Sequence, residues 1–225
     1  MIYLKKLKPI KHILFDYDGV IVDSEKIYYQ TWCSILNEQG QKICKNFHRG
    51  HYESEVFQKV KPYLINDWSL EQVSNYRRKM FNEMVVNKQL ELVPGIEVLL
   101  ETLQLEAPLS IVSNSEHEEV NIGLEANGIK SFFKNFFCFI ETIKRKPMPD
   151  LYLLALDRLK LKGNEVIAIE DSISGIKSAI SAQIPVICIN GLKQEKSYCK
   201  LRRIPFCKTP IGLVRKIKMN KNWEI

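Results

Sequence analysis

Short apolar runs alternate with longer amphipathic segments along most of the chain. The clearest runs are at 12–15, 109–112, 136–140, 166–169 and 186–189. Runs of this length are typical of strands that are buried on both faces of a sheet. Because helical patterns separate most of these strands, the sequence predicts right-handed βαβ units. The expected fold class is therefore α/β, with a parallel sheet covered on both faces.

The stretch between the first two runs has a different pattern. Residues 25–39 carry apolar side chains at nearly helical spacing. Residues 69–88 do the same, and Ser69 and Gln72 are spaced as the capping box of that helix. No segment from 25 to 92 has the pattern of a parallel strand. This part of the chain is therefore predicted to be all-helical.

These patterns predict two domains. A core domain would comprise residues 1–22 and 93–225, and an all-helical domain, residues 23–92, would be inserted after the first strand. Within the core, Ser115 and Glu118 are spaced as the capping box of a further helix. The segment after the last predicted strand has too little periodicity for an assignment, and none is made.

Composition narrows the class of protein. A chain of 225 residues can bury a full core without disulfides. The six cysteines show neither C-x-x-C spacing nor nearby histidine pairs, so we expect reduced thiols in a cytoplasmic protein. No apolar run approaches the roughly 20 residues that cross a bilayer, and the first residues do not form a secretory signal. We therefore expect no membrane partner.

Positive charge is concentrated near the carboxyl terminus. The segment from Gly191 onward has ten Lys or Arg against two acids, a balance of +8, so the remainder of the chain contributes −1 to the net charge of +7. This segment lacks a groove-reading helix motif and alternating aromatic residues, which favours a solvated basic face over a nucleic-acid site. A positive field also suits a small anionic substrate.

Polar residues follow four of the predicted strands. Taken singly, each group is ordinary, since a turn serine bonds its own backbone and acids at a helix start interact with the helix dipole. In a parallel sheet, however, the carboxyl ends of the strands meet at one edge, where open α/β sheets bind ligands. We therefore expect four groups to converge: Asp16 with Asp18, Ser113 with Asn114, Lys146, and Glu170 with Asp171.

Together these residue types predict phosphoryl transfer. The acids supply the hard oxygen ligands that Mg2+ prefers. A carboxylate can also attack phosphorus and form an aspartyl-phosphate, while a second carboxylate two residues beyond it lies on the same side of an extended chain, within reach of the leaving group or water. The expected metal ligands are Asp16, Asp18, Asp171 and Glu170, and the expected phosphate-binding residues are Ser113, Asn114 and Lys146.

The four groups also occur in the order of the motifs of a known protein family. Asp-Tyr-Asp-Gly-Val at 16–20 is followed by Ile-Val-Ser-Asn at 111–114, Lys-Pro-Met-Pro-Asp at 146–150, and Glu-Asp-Ser at 170–172. The chain thereby resembles the phosphatase branch of the haloacid dehalogenase superfamily, with a helical cap inserted after the first strand, over nearly its whole length to about Ile189. The resemblance implies a Rossmann-like core domain, Mg2+ as the cofactor and a cap that selects the substrate.

Individual roles come from this resemblance. It implies that Asp16 is the nucleophile and Asp18 the general acid/base, with the Asp18 main-chain carbonyl on the magnesium ion. It implies that Asp171 is a direct ligand of the ion and Glu170 a direct or outer one. The phosphoryl group would be held by Ser113 and Lys146.

The helical cap is where the resemblance places substrate selection. Arg49 is the candidate for substrate contact, ahead of His48 and His51, and a solvated side chain is the alternative for each. Sugar-phosphate mutases of the same branch carry a histidine shortly after the first motif, where this chain has Tyr28. That difference favours a hydrolase over a mutase.

The expected activity is Mg2+-dependent hydrolysis of a small soluble phosphomonoester, a sugar phosphate or similar metabolite, through an aspartyl-phosphate. A β-phosphoglucomutase-like mutase that uses the same Asp16 is the alternative enzyme. A non-catalytic binding module with a basic carboxyl-terminal tail is the alternative of a different class, and the intact motifs argue against it. The partner would be a small phosphorylated metabolite, and the protein a monomer or weak dimer.

Overall fold

The computed structural model describes residues 10–47, 53–140 and 142–219. The chain divides into two compact units, one made of Met1–Val22 and Leu92–Ile225 and the other of Asp23–Glu91. Among the described residues, no helix combines the length and the apolar character that a membrane span requires.

The first unit is built on a six-stranded sheet in which every neighbouring pair is parallel. The strands in chain order are β1 (His12–Phe15), β2 (Val22–Asp23), β3 (Glu91–Leu92), β4 (Leu109–Glu116), β5 (Phe133–Phe139), β6 (Val166–Glu170), β7 (Val186–Ile189) and β8 (Phe206–Cys207). The sheet order is β5-β4-β1-β6-β7-β8, and the short strands β2 and β3 pair with each other. The Rossmann-like α/β class expected from the sequence is confirmed.

Ten α-helices occur in the described residues. They are α1 (Glu25–Cys33), α2 (Glu38–Phe47), α3 (Glu53–Val60), α4 (Leu70–Val86), α5 (Ile96–Leu103), α6 (His117–Ala126), α7 (Asp150–Leu159), α8 (Ile173–Ser181), α9 (Lys193–Arg202) and α10 (Pro210–Met219). Short 3-10 helices lie at Lys61–Tyr63, Lys130–Phe132 and Gly163–Glu165. The first four α-helices form the second unit, and the other six accompany the sheet.

The parallel register of the buried central strands places the motif residues at one edge of the sheet. All four residues of β1 are buried, and its register pairs Phe15 with Ile111 of β4 and with Ile169 of β6. Apolar side chains of these strands pack with α7 and α8 in one core cluster. Because the three strands run in the same direction and in this register, the residues that follow Phe15 lie beside the ends of β4 and β6.

The helical unit has a core of its own around Trp32, Phe57 and Val73. A buried cation also belongs to it: the Arg77 guanidinium lies 4.0 Å from the centre of the Trp32 ring and forms an ion pair with Glu53. The predicted capping box at the start of α4 is confirmed, since both of its hydrogen bonds between Ser69 and Gln72 are present.

Three local predictions were wrong or incomplete. The helix predicted over 25–39 is two helices, because the Asn37 side chain accepts a hydrogen bond from the Gly40 amide and starts α2. The capping box predicted for Ser115 is absent, since β4 extends to Glu116 and α6 begins only at His117. The unassigned segment after β7 forms α9, β8 and α10, and β8 adds an edge strand to the sheet.

Candidate active site

Lys146 stands at the centre of the polar cluster at the carboxyl edge of the sheet. Its Nζ lies 2.7 Å from Asp16 Oδ1, 2.7 Å from Glu170 Oε1 and 2.7 Å from the main-chain oxygen of Val112. The side chain is 3% exposed. Burial alone would lower the pKa of this ammonium, but the two carboxylates outweigh burial and raise it above its ordinary value. The three donors of a charged lysine are thereby all used.

Glu170 is a fully buried acid with unequal oxygens. Its Oε1 accepts from Lys146 and from the Tyr152 hydroxyl at 2.6 Å, whereas Oε2 has no hydrogen-bond partner among the described residues. Burial, followed by the nearby Asp16 charge, raises the Glu170 pKa to about 7, and the contacts with Lys146 and Tyr152 oppose this rise. Burial also raises the pKa of Tyr152, so its phenol remains a donor.

Two glycines, which have no side chain, make room for the carboxylates of the cluster. Gly19 has a φ of +79°, and a Cβ at this position would lie 2.7 Å from Cγ of Asp171. A Cβ at Gly175, in the first turn of α8, would overlap the Glu170 carboxylate. Any larger residue at either position would displace a carboxylate, so the acidic cluster requires both glycines.

The residues of the cluster fit a hard divalent cation. Asp16, Glu170 and Asp171 each offer a ligand atom, and these atoms lie within 4.8 Å of one another. Acidic clusters also occur without a metal, but here a fully buried carboxylate oxygen of Glu170 receives no hydrogen bond from the described residues. Such an oxygen is costly unless a cation or proton meets it. An all-oxygen donor set of this kind suits Mg2+.

Asp18 is bound to the last residues of β4. The Ser115 hydroxyl lies 2.6 Å from Asp18 Oδ2, and the Ser115 amide donates to Ser113 Oγ at 3.0 Å. Ser115 therefore links the predicted acid/base to the predicted phosphate-binding hydroxyl. The serine that sequence spacing assigned to a helix cap is instead part of the polar cluster.

Both polar atoms of the Asn114 side-chain amide bind the main chain of Lys146. Its Oδ1 accepts from the Lys146 amide at 2.8 Å, and its Nδ2 donates to the Lys146 carbonyl at 3.3 Å. These bonds hold the loop that carries Lys146. Direct binding of phosphate by Asn114 stays a prediction.

The predicted residues thus fall into three groups. Asp16, Lys146, Glu170 and Asp171 share the cluster around the Lys146 ammonium and the candidate metal ligands. Asp18 and Ser113 are joined through Ser115, and Asn114 supports Lys146. Arg49, with His48 and His51, lies outside the described residues.

Besides Ser115, two contributors were not singled out for this site in the sequence. Tyr152 follows the Lys-Pro-Met-Pro-Asp motif on an apolar helix face, and its only signal is that a buried tyrosine hydroxyl needs a partner. Asn190, after β7, donates to the Gly19 carbonyl at 2.9 Å and supports the first motif from the neighbouring strand end.

The chain as a whole is similar to known proteins. The family model described as haloacid dehalogenase-like hydrolase matches residues 13–189. A phosphorylated carbohydrates phosphatase of Thermotoga maritima is 28% identical over 76% of this chain and 81% of its own length. Hexitol phosphatase A of Escherichia coli is 24% identical over 80% of this chain and 83% of its own length.

Solved structures share the fold. A haloacid dehalogenase-like hydrolase from Streptococcus pneumoniae superposes with a TM-score of 0.74 at 18% identity, over 93% of this chain and 99% of that one. CbbY from Rhodobacter sphaeroides, in complex with phosphate, has a TM-score of 0.64 at 19% identity, over 80% and 85%. With four ordered motifs and a family model that covers most of its length, the chain belongs to the haloacid dehalogenase-like hydrolase family.

Proposed function

We propose that the protein is a Mg2+-dependent phosphatase that hydrolyses a small phosphomonoester, of the sugar-phosphate class, through an aspartyl-phosphate. The observation that carries this proposal is Asp16, a residue only 8% exposed, whose carboxylate is bound to the Lys146 ammonium at 2.7 Å and shares a ligand cluster with Glu170 and Asp171. The relatives named as carbohydrate and hexitol phosphatases support the substrate class.

The first half of the reaction transfers the phosphoryl group to the protein. An oxygen of Asp16 attacks phosphorus, the bond to the substrate alcohol breaks, and Asp18 gives its proton to the departing oxygen. The Ser113 hydroxyl, in β4, would donate to a phosphoryl oxygen, and the Lys146 ammonium, bound to Asp16, would supply positive charge beside the phosphoryl group. When bound, Mg2+ would be held by Asp16, Glu170 and Asp171 and would neutralise phosphate charge.

The second half releases the phosphate. The Asp18 carboxylate takes a proton from water, the resulting hydroxide attacks phosphorus of the aspartyl-phosphate, and the Asp16 carboxylate leaves. The Ser115 hydroxyl, 2.6 Å from Asp18 Oδ2, keeps that carboxylate in place for both proton transfers. The helical unit, Asp23–Glu91, would act as the substrate-selecting cap.

The test measures phosphate release from p-nitrophenyl phosphate and a panel of sugar phosphates, with Mg2+ and with EDTA. Asp16→Asn should lower the rate by about 10^3-fold or more, because the amide is not a nucleophile. Asp67→Asn, at an exposed acid of the helical unit, is the control and should keep full activity.

The outcomes separate the alternatives. Equal activity in Asp16→Asn would overturn the nucleophile assignment. Isomerisation of a sugar phosphate without net phosphate release would instead identify a mutase that uses the same aspartate. No activity in the parent protein on any substrate would favour a binding module.

A further inference from the structure

We propose that Tyr152 is a positioning residue that confines Glu170 to coordination through one oxygen and thereby makes the acidic cluster prefer Mg2+ over Ca2+. The inference rests on the proposed function in one respect: it takes Asp16, Glu170 and Asp171 as a metal site. It adds a determinant of metal choice that lies outside the ligand set.

The hydrogen bonds divide the two oxygens of Glu170 between different tasks. Oε1 accepts from both Tyr152 and Lys146, at 2.6 and 2.7 Å, while Oε2 accepts from no described residue. An oxygen that already accepts two strong hydrogen bonds is a poor metal ligand. A cation is therefore left with the other oxygen of this carboxylate.

Lys146 cannot maintain this arrangement alone. Its three donors are shared among Asp16, Glu170 and the carbonyl of Val112, so it makes only one of the two bonds to Oε1. The second bond comes from Tyr152, the only other described residue seen to donate to Glu170. Without it, the carboxylate would be held at one point and could rotate about its terminal torsion.

Tyr152 is itself rigid. It is fully buried on α7, in the core cluster that includes Leu151 and Ala155, and its ring centre is 5.2 Å from Lys146 Nζ. The ring therefore contacts the ammonium while the hydroxyl binds the carboxylate. Loss of the hydroxyl alone would leave the ring contact and the core packing in place.

Mg2+ and Ca2+ differ in coordination, and a restrained Glu170 carboxylate therefore favours one ion over the other. Mg2+ demands compact octahedral coordination and typically takes one or two carboxylates with several waters, whereas Ca2+ takes six to eight oxygens and readily accepts both oxygens of a carboxylate. A glutamate limited to one oxygen suits the smaller ion. A glutamate that can rotate offers a second oxygen to the larger ion.

The experiment titrates MgCl2 or CaCl2 alone into the full-length protein by calorimetry, without substrate. Tyr152→Phe should raise the Kd for Mg2+ about 10-fold, the lower end of the usual effect of a residue behind a metal ligand. The Kd for Ca2+ should stay constant or fall, so the ratio of the two constants shifts by 10-fold or more. Tyr29→Phe is the matched control, since it removes a tyrosine hydroxyl bond, to the Gln41 carbonyl, in the other unit.

A double-mutant cycle shows whether Tyr152 acts through Glu170. In a Glu170→Gln background, Tyr152→Phe should no longer change the Mg2+ constant, because the carboxylate that it positions is gone. Thermal unfolding in EDTA establishes that each variant is folded. A Tyr152→Phe effect that persists at full size in this background would overturn the route through Glu170.

Other results bear separately on the two proposals. Unchanged constants for both ions in Tyr152→Phe, or an equal rise in both, would overturn the selectivity role while phosphate release by the parent protein still stood. Conversely, a parent protein with the expected ion preference and its loss in Tyr152→Phe, but no phosphate release, would refute the proposed function and leave this inference intact.

Discussion

Two polar clusters lie against the same sheet, and they differ in charge and in completeness. One surrounds Lys146 at the carboxyl edge, where buried acids meet a buried cation and one carboxylate oxygen has no donor within the part of the chain that the structure describes. The other joins His12, Ser110 and Asn135, with His12 Nε2 2.8 Å and Asn135 Nδ2 3.2 Å from the Ser110 hydroxyl. This second cluster contains no acid.

The difference separates a candidate reactive site from a structural one. Burial lowers the pKa of His12 to about 4, so the imidazole is neutral at physiological pH, with its Nε2 bonded to Ser110. In contrast, burial raises the Glu170 pKa to about 7, so its ionised form needs a cation. A satisfied neutral cluster stabilises the fold, whereas an incompletely satisfied charged one is the arrangement expected of a binding or catalytic site.

Removal of the Lys146 charge should have the largest effect. Lys146→Met leaves Asp16 and Glu170 buried without their cation, and loss of one partner of a buried ion pair costs about 3–5 kcal/mol of unfolding free energy. Urea unfolding at pH 8 in EDTA measures the loss, and phosphate release should fall to background. Lys144→Met, at an exposed lysine two residues earlier, should change stability by less than about 0.5 kcal/mol. A similar result for both variants would remove the distinction between the clusters.

The pH dependence of stability should reveal the neutral cluster. Because the folded pKa of His12 is about 4, against 6.5 for the ordinary group, the unfolded chain binds a proton that the folded protein refuses. This effect lowers the unfolding free energy as the pH falls from 6.5 to 4, by up to about 3 kcal/mol. Glu170 raises the unfolding free energy as the pH falls, because its folded pKa is raised. In the pH profile of the parent protein the two effects therefore offset each other.

The difference between His12→Gln and the parent isolates the histidine. The parent should lose its advantage over the variant progressively from pH 6.5 to pH 4, in urea unfolding measured in EDTA. Parallel pH profiles for the two proteins would contradict the assignment of His12 as a buried neutral group.

Two glycines provide the smallest and most closely matched comparison. Gly175 and Gly212 are each the third residue of a helix, and the amide of each donates to the hydroxyl of the capping residue, Ser172 or Thr209. Gly175→Ala drives a methyl group into the Glu170 carboxylate and should cost about 1–3 kcal/mol. Gly212→Ala meets its nearest atom at 3.4 Å and should be neutral or stabilising by up to about 1 kcal/mol.

The two glycine variants should also differ in their affinity for Mg2+. Gly175→Ala should weaken binding of the ion because it moves a ligand, while Gly212→Ala should leave binding unchanged. Equal Mg2+ constants in both variants would argue that the space around Glu170 has no role in the metal site.

The parallel sheet was predictable because its signal is local. Buried strands such as Val186–Ile189 are continuous apolar runs, and the helices between them show their own period. The edge strand Phe206–Cys207 was not predictable, because two residues between basic helices carry no such run. This strand forms because its main chain pairs with β7, which is a contact between residues distant in the sequence.

The candidate site shows the same division. Sequence order was enough to expect that Asp16, Lys146 and Asp171 would meet, since parallel strands end at one edge. It did not indicate the role of Ser115, because a serine three residues before a glutamate is also an ordinary helix cap. Only the extension of β4 to Glu116 turns that hydroxyl toward Asp18.

By itself, the sequence determined the alternation of strands and helices, the family and the residue types that phosphoryl transfer needs. These depend on periodicity and on motif order, which are properties of the chain read in line. The tertiary structure alone decided which Glu170 oxygen lacks a donor among the residues described, and which partner each buried group has: Tyr152 for Glu170, and Ser110 for His12, 98 residues away. Hydrogen bonding and desolvation act between neighbours in space, and their balance therefore arises only once the strands are packed.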